Sequence, residues 1–283
     1  MKKIIKLMGL FILIVFSFFY TDKVASVIRD EDSLMIEIRN VENLYKVNPV
    51  DGIIDNNTII PGLYGKKINI DKSYKKMREI GTFDKKFIVY DTIKPNVSIS
   101  NNKDKFIIKG NNNKQMISLV FILDDNRYLD MVENIANEKE VFINYFVTSN
   151  YLISNSTVVA ALENREVYNY GNDGKYSPDN IIFANNLISR ITKNNAIYCL
   201  STSLNKSVLE LCSDNNLYTI LPNIIVNNNL FSSVKDNISS GSIVLIKLNN
   251  SNIKELGVTI DYIKGKGLKI GGLSSLLNES LDY

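Results

Sequence analysis

The sequence predicts an α/β fold with a parallel sheet, and three observations carry that expectation. Residues Met116 to Asp125 read Met-Ile-Ser-Leu-Val-Phe-Ile-Leu-Asp-Asp, an apolar, β-branched run that stops at two acids. It is too short for a membrane span and suits a strand buried on both faces. From there to the C-terminus, apolar runs alternate with stretches whose apolar residues recur every three or four positions. Seven such units fit into about 170 residues, which suggests a barrel or a doubly wound sheet.

The chain has 283 residues, 45% of them apolar and 22% charged, enough for a sizeable core. Its formal charge of +3 comes from one place. Residues 1–26 hold Lys2, Lys3, Lys6 and Lys23 against Asp22, so the remainder is neutral and nucleic acid is not an expected partner. Histidine is absent altogether. The chain therefore lacks the commonest metal ligand and the one side chain that ordinarily titrates near neutrality. Runs of asparagine, at 111–113 and 227–229, read as solvated loops.

In chain order, Met-Lys-Lys-Ile-Ile-Lys precedes an apolar stretch from Leu7 to Tyr20, the pattern of an export signal. Residues 1–26 are expected to direct export, either cleaved after Val24-Ala25-Ser26 or kept as a membrane anchor through residues 4–20. The expected location is extracytoplasmic. Residues 27–110 hold Pro49, Pro61 and Pro95 and read as a small appended region. Strands are expected at Leu34–Ile38 and Phe87–Asp91, a turn at 62–67 leading into Ile68–Ile70, and a helix at Ser73–Ile80 with Asp71 as its N-cap.

Residues 111–283 carry the α/β repeat. Helix faces are expected at Leu129, Val132 and Ala136; at Val158, Val159 and Leu162; and at Ile181, Ala184, Ile188 and Ile191, where Ser177 caps and Pro178 takes the first helical position. Leu230, Val234 and Ile238 form another, and Ile253, Leu256, Ile260 and Ile263 the last. The strand-like runs between them are Val141–Thr148, Glu166–Tyr170, Ala196–Leu200, Tyr218–Ile225, Ser242–Leu248 and Lys269–Gly271.

The order and wording of these segments resemble the NodB-type polysaccharide deacetylases over roughly Gln115 to Leu277. Ile117-Ser-Leu-Val-Phe resembles the strand before the family's Asp-Asp motif. Val141-Phe-Ile-Asn-Tyr-Phe-Val resembles its Ala-Thr-Phe-Phe-Val strand. Glu166-Val-Tyr-Asn-Tyr-Gly resembles its Glu-Ile-Gly-Asn-His segment. Gly241-Ser-Ile-Val-Leu-Ile-Lys-Leu resembles its Gly-Ser-Ile-Ile-Leu-Leu-His strand. Lys264-Gly-Lys-Gly-Leu-Lys-Ile-Gly-Gly-Leu-Ser-Ser-Leu-Leu resembles its closing segment. The resemblance implies a deformed (β/α) barrel behind the appendage and the leader.

The family's catalytic residues do not carry over. In register with Phe121, its paired acids fall on Ile122 and Leu123. Asp124 and Asp125 come two residues later, which keeps the strand face but moves the group by about 6–7 Å. The two metal-binding histidines fall on Tyr170 and Gly174, the Arg-Pro-Pro-Tyr-Gly loop on Tyr198-Cys-Leu-Ser-Thr-Ser, and the late histidine near Lys247 or Leu248. The resemblance therefore implies a member without the metal site, and no cofactor is expected.

The residues themselves leave alternatives. Asp124 and Asp125 read either as a cation or acid–base pair or as caps at a helix start. Asp173, in Asn-Asp-Gly, reads as a stand-in ligand or as a turn. Tyr168 and Tyr170 read as sugar-stacking rings or as half-buried strand residues. In an exported chain Cys199 and Cys212 either pair or stay as buried thiols. The expected function is a catalytically degenerate deacetylase-like protein of the envelope, binding cell-wall glycan or an envelope protein. The alternative is an active glycan deacetylase that uses Asp124, Asp125 and Asp173.

Overall fold

The computed structural model describes residues 8, 11–17, 19–20, 29–162, 164–172, 174–192 and 195–280. The leader therefore lies largely outside the described residues. Those of its residues that are described are helical, with exposed side chains such as Phe11, Phe16 and Phe19. Among the described residues no helix is long and apolar enough to cross a membrane.

Strands are numbered in chain order: β1 (Ile53–Asp55), β2 (Thr58–Ile60), β3 (Gly65–Ile68), β4 (Tyr90–Ile93), β5 (Phe106–Ile107), β6 (Met116–Leu123), β7 (Asn144–Val147), β8 (Glu166–Asn169), β9 (Tyr198–Leu200), β10 (Tyr218–Ile220), β11 (Ile224–Val226), β12 (Ile243–Ile246) and β13 (Lys269–Ile270). The chain forms two compact units, one of residues 1–49 and 65–93, the other of residues 50–64 and 94–283.

The smaller unit pairs β3 with β4 antiparallel and adds two helices. Its first helix corrects an expectation: Leu34–Ile38 is not a strand but lies in the helix Ser33–Tyr45. Asp32 caps it by accepting from the Leu34 amide at 2.9 Å. Leu34, Met35 and Ile38 sit one and four apart, which is a helical stripe; read in isolation it passes for a short apolar run. The second helix is Ile70–Met77, capped by Asn69 rather than Asp71. Residues 85–87 form a 3-10 turn, so the expected strand at Phe87–Asp91 begins only at Tyr90.

The larger unit does not begin near residue 111. Ile59 and Ile107 are part of its core, and β2 and β5 extend its sheet. The strand order is β1-β2-β5-β10-β9-β8-β7-β6-β12-β11, and all pairings are parallel except β1 with β2. β13 pairs with the start of β6. The expected single run Tyr218–Ile225 is in fact two strands. Pro222 has no N–H to donate to a ladder, and the chain breaks there. Five strands separate β10 from β11 in the sheet, a distance of about 29 Å if it were flat. Yet only Leu221, Pro222 and Asn223 connect them, a span of about 14 Å at most. The sheet must curl, and it is the deformed barrel expected.

Side-chain alternation sorts the strands into two layers. Ile117, Leu119, Phe121 and Leu123 of β6 face outward with Tyr145, Val167, Val244 and Ile246, against the helices. Val120 faces inward with Phe146, Tyr168, Tyr198, Leu200, Ile243 and Leu245. The short helix Leu273–Leu277 adds Leu273, Leu276 and Leu277 to the inner core. Polar bonds tie this closure to the strands. Ser118 Oγ donates to the Gly271 carbonyl at 2.9 Å, and Asn144 accepts the Leu273 amide at 2.8 Å.

Candidate functional site

A cleft of about 710 Å³ opens at the C-terminal ends of the strands. In parallel α/β folds this is the end where loops carry function. Alternation along β6 puts Ile122 on the inner face, and the next inward position is Asp124, just past the strand end. Both line the cleft. On the adjacent β12, Leu245 lines the cleft and Lys247, two residues on, extends from the same face. Asp125, Tyr170, Thr202, Asn227 and Arg127 complete the polar part of the lining. The cleft thus has an apolar floor and a rim with two acids and two bases.

Asp124 is exposed and makes no hydrogen bond or ion pair among the described residues. Asp125 is committed locally. Its Oδ1 accepts the Arg127 amide at 2.7 Å, and its Oδ2 lies 3.4 Å from the Arg127 guanidinium. This is a side-chain turn two residues on, not a helix cap. The helix Leu129–Glu138 starts after Tyr128, which gives no side-chain cap. Behind the loop, Tyr151 donates its hydroxyl to Asn126 Oδ1. Burial, with the Asp125 charge second, pushes the Tyr151 phenol up to about 12, so it remains a neutral donor at physiological pH.

Tyr170 lines the cleft at the end of β8, where its amide donates to the Val147 carbonyl at 2.9 Å. Gly174 donates to the Tyr170 carbonyl at 3.0 Å and has a φ of 78°. A Cβ at residue 174 would meet the Tyr170 phenol at 3.1 Å. Asp173 lies outside the described residues. Tyr168 does not reach the rim. It is 3% exposed, its ring packs against Phe146 at 5.3 Å and Tyr198 at 5.0 Å, and its hydroxyl donates to Glu166 Oε2 at 2.6 Å. The expectation that it offers a ring face to sugar is corrected: strand alternation puts it inward, but one step below the cleft.

Cys199 and Cys212 form a disulfide, with Cα atoms 6.5 Å apart. It links β9 to the helix Lys206–Asp214 on the outer face, among Ile181, Val208 and Leu217. Sequence reasoning did not pick out Arg127 and Thr202, and it noted Lys247 only as the place of a lost histidine. The signal for Lys247 was available, since it follows Leu245 on the inward parity of β12.

Comparison with known proteins bears on this architecture. No family model matches the chain. It is 26% identical to the uncharacterized protein YlxY of Bacillus subtilis, over 90% of this chain and 86% of that one. Among solved structures, BA3943 of Bacillus anthracis, a CE4 family pseudoenzyme, superposes with a TM-score of 0.67 at 23% identity, covering 88% of this chain and 96% of its own. A BA3943 mutant is described as having restored enzymatic activity. PdaA of Bacillus subtilis, a family 4 carbohydrate esterase, superposes with a TM-score of 0.54 at 16% identity, covering 60% of this chain and 84% of its own. The fold is that of the family 4 carbohydrate esterases.

The metal that the family 4 resemblance implies does not fit the residues present. The two positions for paired acids are Ile122, part of the apolar floor, and Leu123, which is fully buried and faces the helices. The two positions for histidine ligands are Tyr170 and Gly174. A zinc-type ion requires a closed set of N, S or O donors. Among the described residues no three of His, Cys, Asp and Glu come together. No step through a metal is derived for this chain.

Proposed function

We propose that the chain is a catalytically degenerate, deacetylase-like protein of the cell envelope, whose cleft binds glycan without hydrolysing it. One observation carries the reading: at the strand end where the resemblance implies paired acids, Ile122 forms cleft floor and Leu123 turns away into the helix layer. A bound water with no cation beside it keeps a high pKa, and an oxyanion formed from an acetamide has no clamp. Asp124 is the free acid on the correct face, but it stands one inward position too far along. Aromatic Tyr170 and the hydrogen-bonding rim remain suited to a sugar chain. The pseudoenzyme BA3943 shares the fold over most of the chain, which supports this reading.

The envelope location rests on the leader of residues 1–26, and the disulfide is consistent with an oxidising compartment. Co-sedimentation of the purified chain with cell-wall glycan tests the binding. Retention should fall in Tyr170→Ala and Asp124→Ala variants. Retention by an envelope protein alone, with none on glycan, would replace the ligand and keep the cleft. A reporter fused after residue 26 that stays entirely cytoplasmic would remove the envelope from the proposal.

A further inference from the structure

We infer that the opposite end of the barrel holds a second ligand site, built to take a neutral sugar ring. A pocket of about 370 Å³ opens beside the N-terminal ends of β9 and β10. This is the low end of the usual range for small-ligand sites, about 300–1,000 Å³. Its lining includes Tyr64, Tyr198, Tyr218, Ser275, Asn278 and Glu279.

The decisive residue is Tyr198. It is 4% exposed, yet its hydroxyl has no hydrogen-bond partner among the described residues. The hydroxyl itself is not sealed off: among the described residues it is open to the pocket, where a ligand can take the place of water as its partner. The ring is fixed by its neighbours. Tyr168 holds it at 5.0 Å in an edge contact, and Tyr218 at 5.9 Å. The hydroxyls of Tyr64 and Tyr218, which line the same pocket, also have no hydrogen-bond partner among the described residues. Burial, then the nearby carboxylates, pushes the Tyr198 and Tyr218 phenols up, so both present neutral donors.

The charge of the ligand follows from what is already used. Both Glu279 carboxylate oxygens are taken, by the Gly62 and Ile99 amides and by Ser98 Oγ. Little acid remains to hold a cation. Among the described residues no basic side chain lines the pocket; Lys103 lies over the Tyr218 ring at 4.9 Å but bonds to Asn216, and Lys114, beside the pocket, donates to the Ser275 and Asn278 carbonyls. An anion therefore has no partner either. What the pocket offers is phenol, serine and carboxamide groups around aromatic rings, the chemistry that binds a neutral polyhydroxyl ring. The site is separate from the cleft and does not rest on the reading of the cleft.

Tyrosine-labelled full-length chain, followed by NMR, tests the inference with glucose, galactose and N-acetylglucosamine. At least one sugar should shift the Tyr198 and Tyr218 resonances saturably. Tyr198→Phe removes only an unpartnered hydroxyl, so its thermal midpoint should stay in place while the sugar binds about fivefold more weakly. Asp124→Asn, in the cleft, should leave these shifts unchanged. Three results would overturn the site: no saturable shift with any of the sugars, unchanged affinity in a folded Tyr198→Phe variant, or loss of the shifts in Asp124→Asn.

Discussion

Replacing Glu279 with alanine should be the most damaging single polar change in the larger unit. Glu279 is 5% exposed and gathers three donors from two distant segments. Its Oε1 accepts the Gly62 amide at 2.9 Å and the Ile99 amide at 3.1 Å, while Oε2 accepts the Ser98 hydroxyl. Its own carbonyl accepts the Tyr64 amide at 2.6 Å, a bond that survives the substitution. Alanine strands two buried backbone donors and leaves the Ser98 hydroxyl with Ser100 Oγ, 2.8 Å away, as its remaining side-chain partner. Each orphaned donor costs about 1–3 kcal/mol, and partial water entry recovers part of it, so the total should be about 3–5 kcal/mol. That is a large share of the roughly 5–15 kcal/mol that holds a domain folded. Glutamine keeps one acceptor oxygen and should cost about half as much. Urea unfolding measures the loss, and hydrogen exchange at the Gly62 and Ile99 amides shows where it falls. A loss under about 1 kcal/mol, or unchanged protection at those amides, would refute the reasoning.

Other outcomes follow from the same structure. Replacing both Cys199 and Cys212 with serine should cost about 3 kcal/mol or more in urea unfolding, because a loop of this length is no longer closed in the unfolded chain. Gly241→Ala should lower the thermal midpoint sharply: φ there is 86°, and a Cβ would meet the Gly110 carbonyl oxygen. Burial raises the phenols of Tyr145, Tyr151, Tyr176 and Tyr198 above their ordinary value of 10.0, and that of Tyr151 to about 12. The folded state therefore favours neutral tyrosine. This contribution is intact below pH 10 and is lost as pH rises through 12 and beyond, so unfolding in alkali should coincide with the rise in tyrosinate absorbance.

The barrel was legible because its strands and helices announce themselves by period. Met116–Leu123 is one long apolar run, and Ile253, Leu256, Ile260 and Ile263 all fall on one buried helix face. The appended region was less legible. Four apolar residues around Glu37 at 34–38 match either period, and only the Asp32 cap and the continuation to Tyr45 decide for helix. Nor could local pattern show that Ile59 and Ile107 belong to the barrel, since that depends on pairing with β10 over a long stretch of sequence. At the cleft, strand parity correctly placed Ile122 and Asp124 but misjudged Tyr168. Parity gives the face and not the depth, and depth depends on where the curled sheet ends. The role of Asp125 turned on a two-residue turn to Arg127 that the apolar pattern does not encode.

The central claim is that the cleft holds ligand without turnover, and acetate release tests it most directly. The purified chain is incubated with acetylated glycan oligomers and with Zn²⁺, Co²⁺ or Mn²⁺, and free acetate is measured. With Ile122 and Leu123 at the paired-acid positions, release should equal that of the buffer with each ion. Release above that level that disappears in Asp124→Asn or Asp125→Asn would contradict the account and assign the chain as an active deacetylase with an unorthodox site.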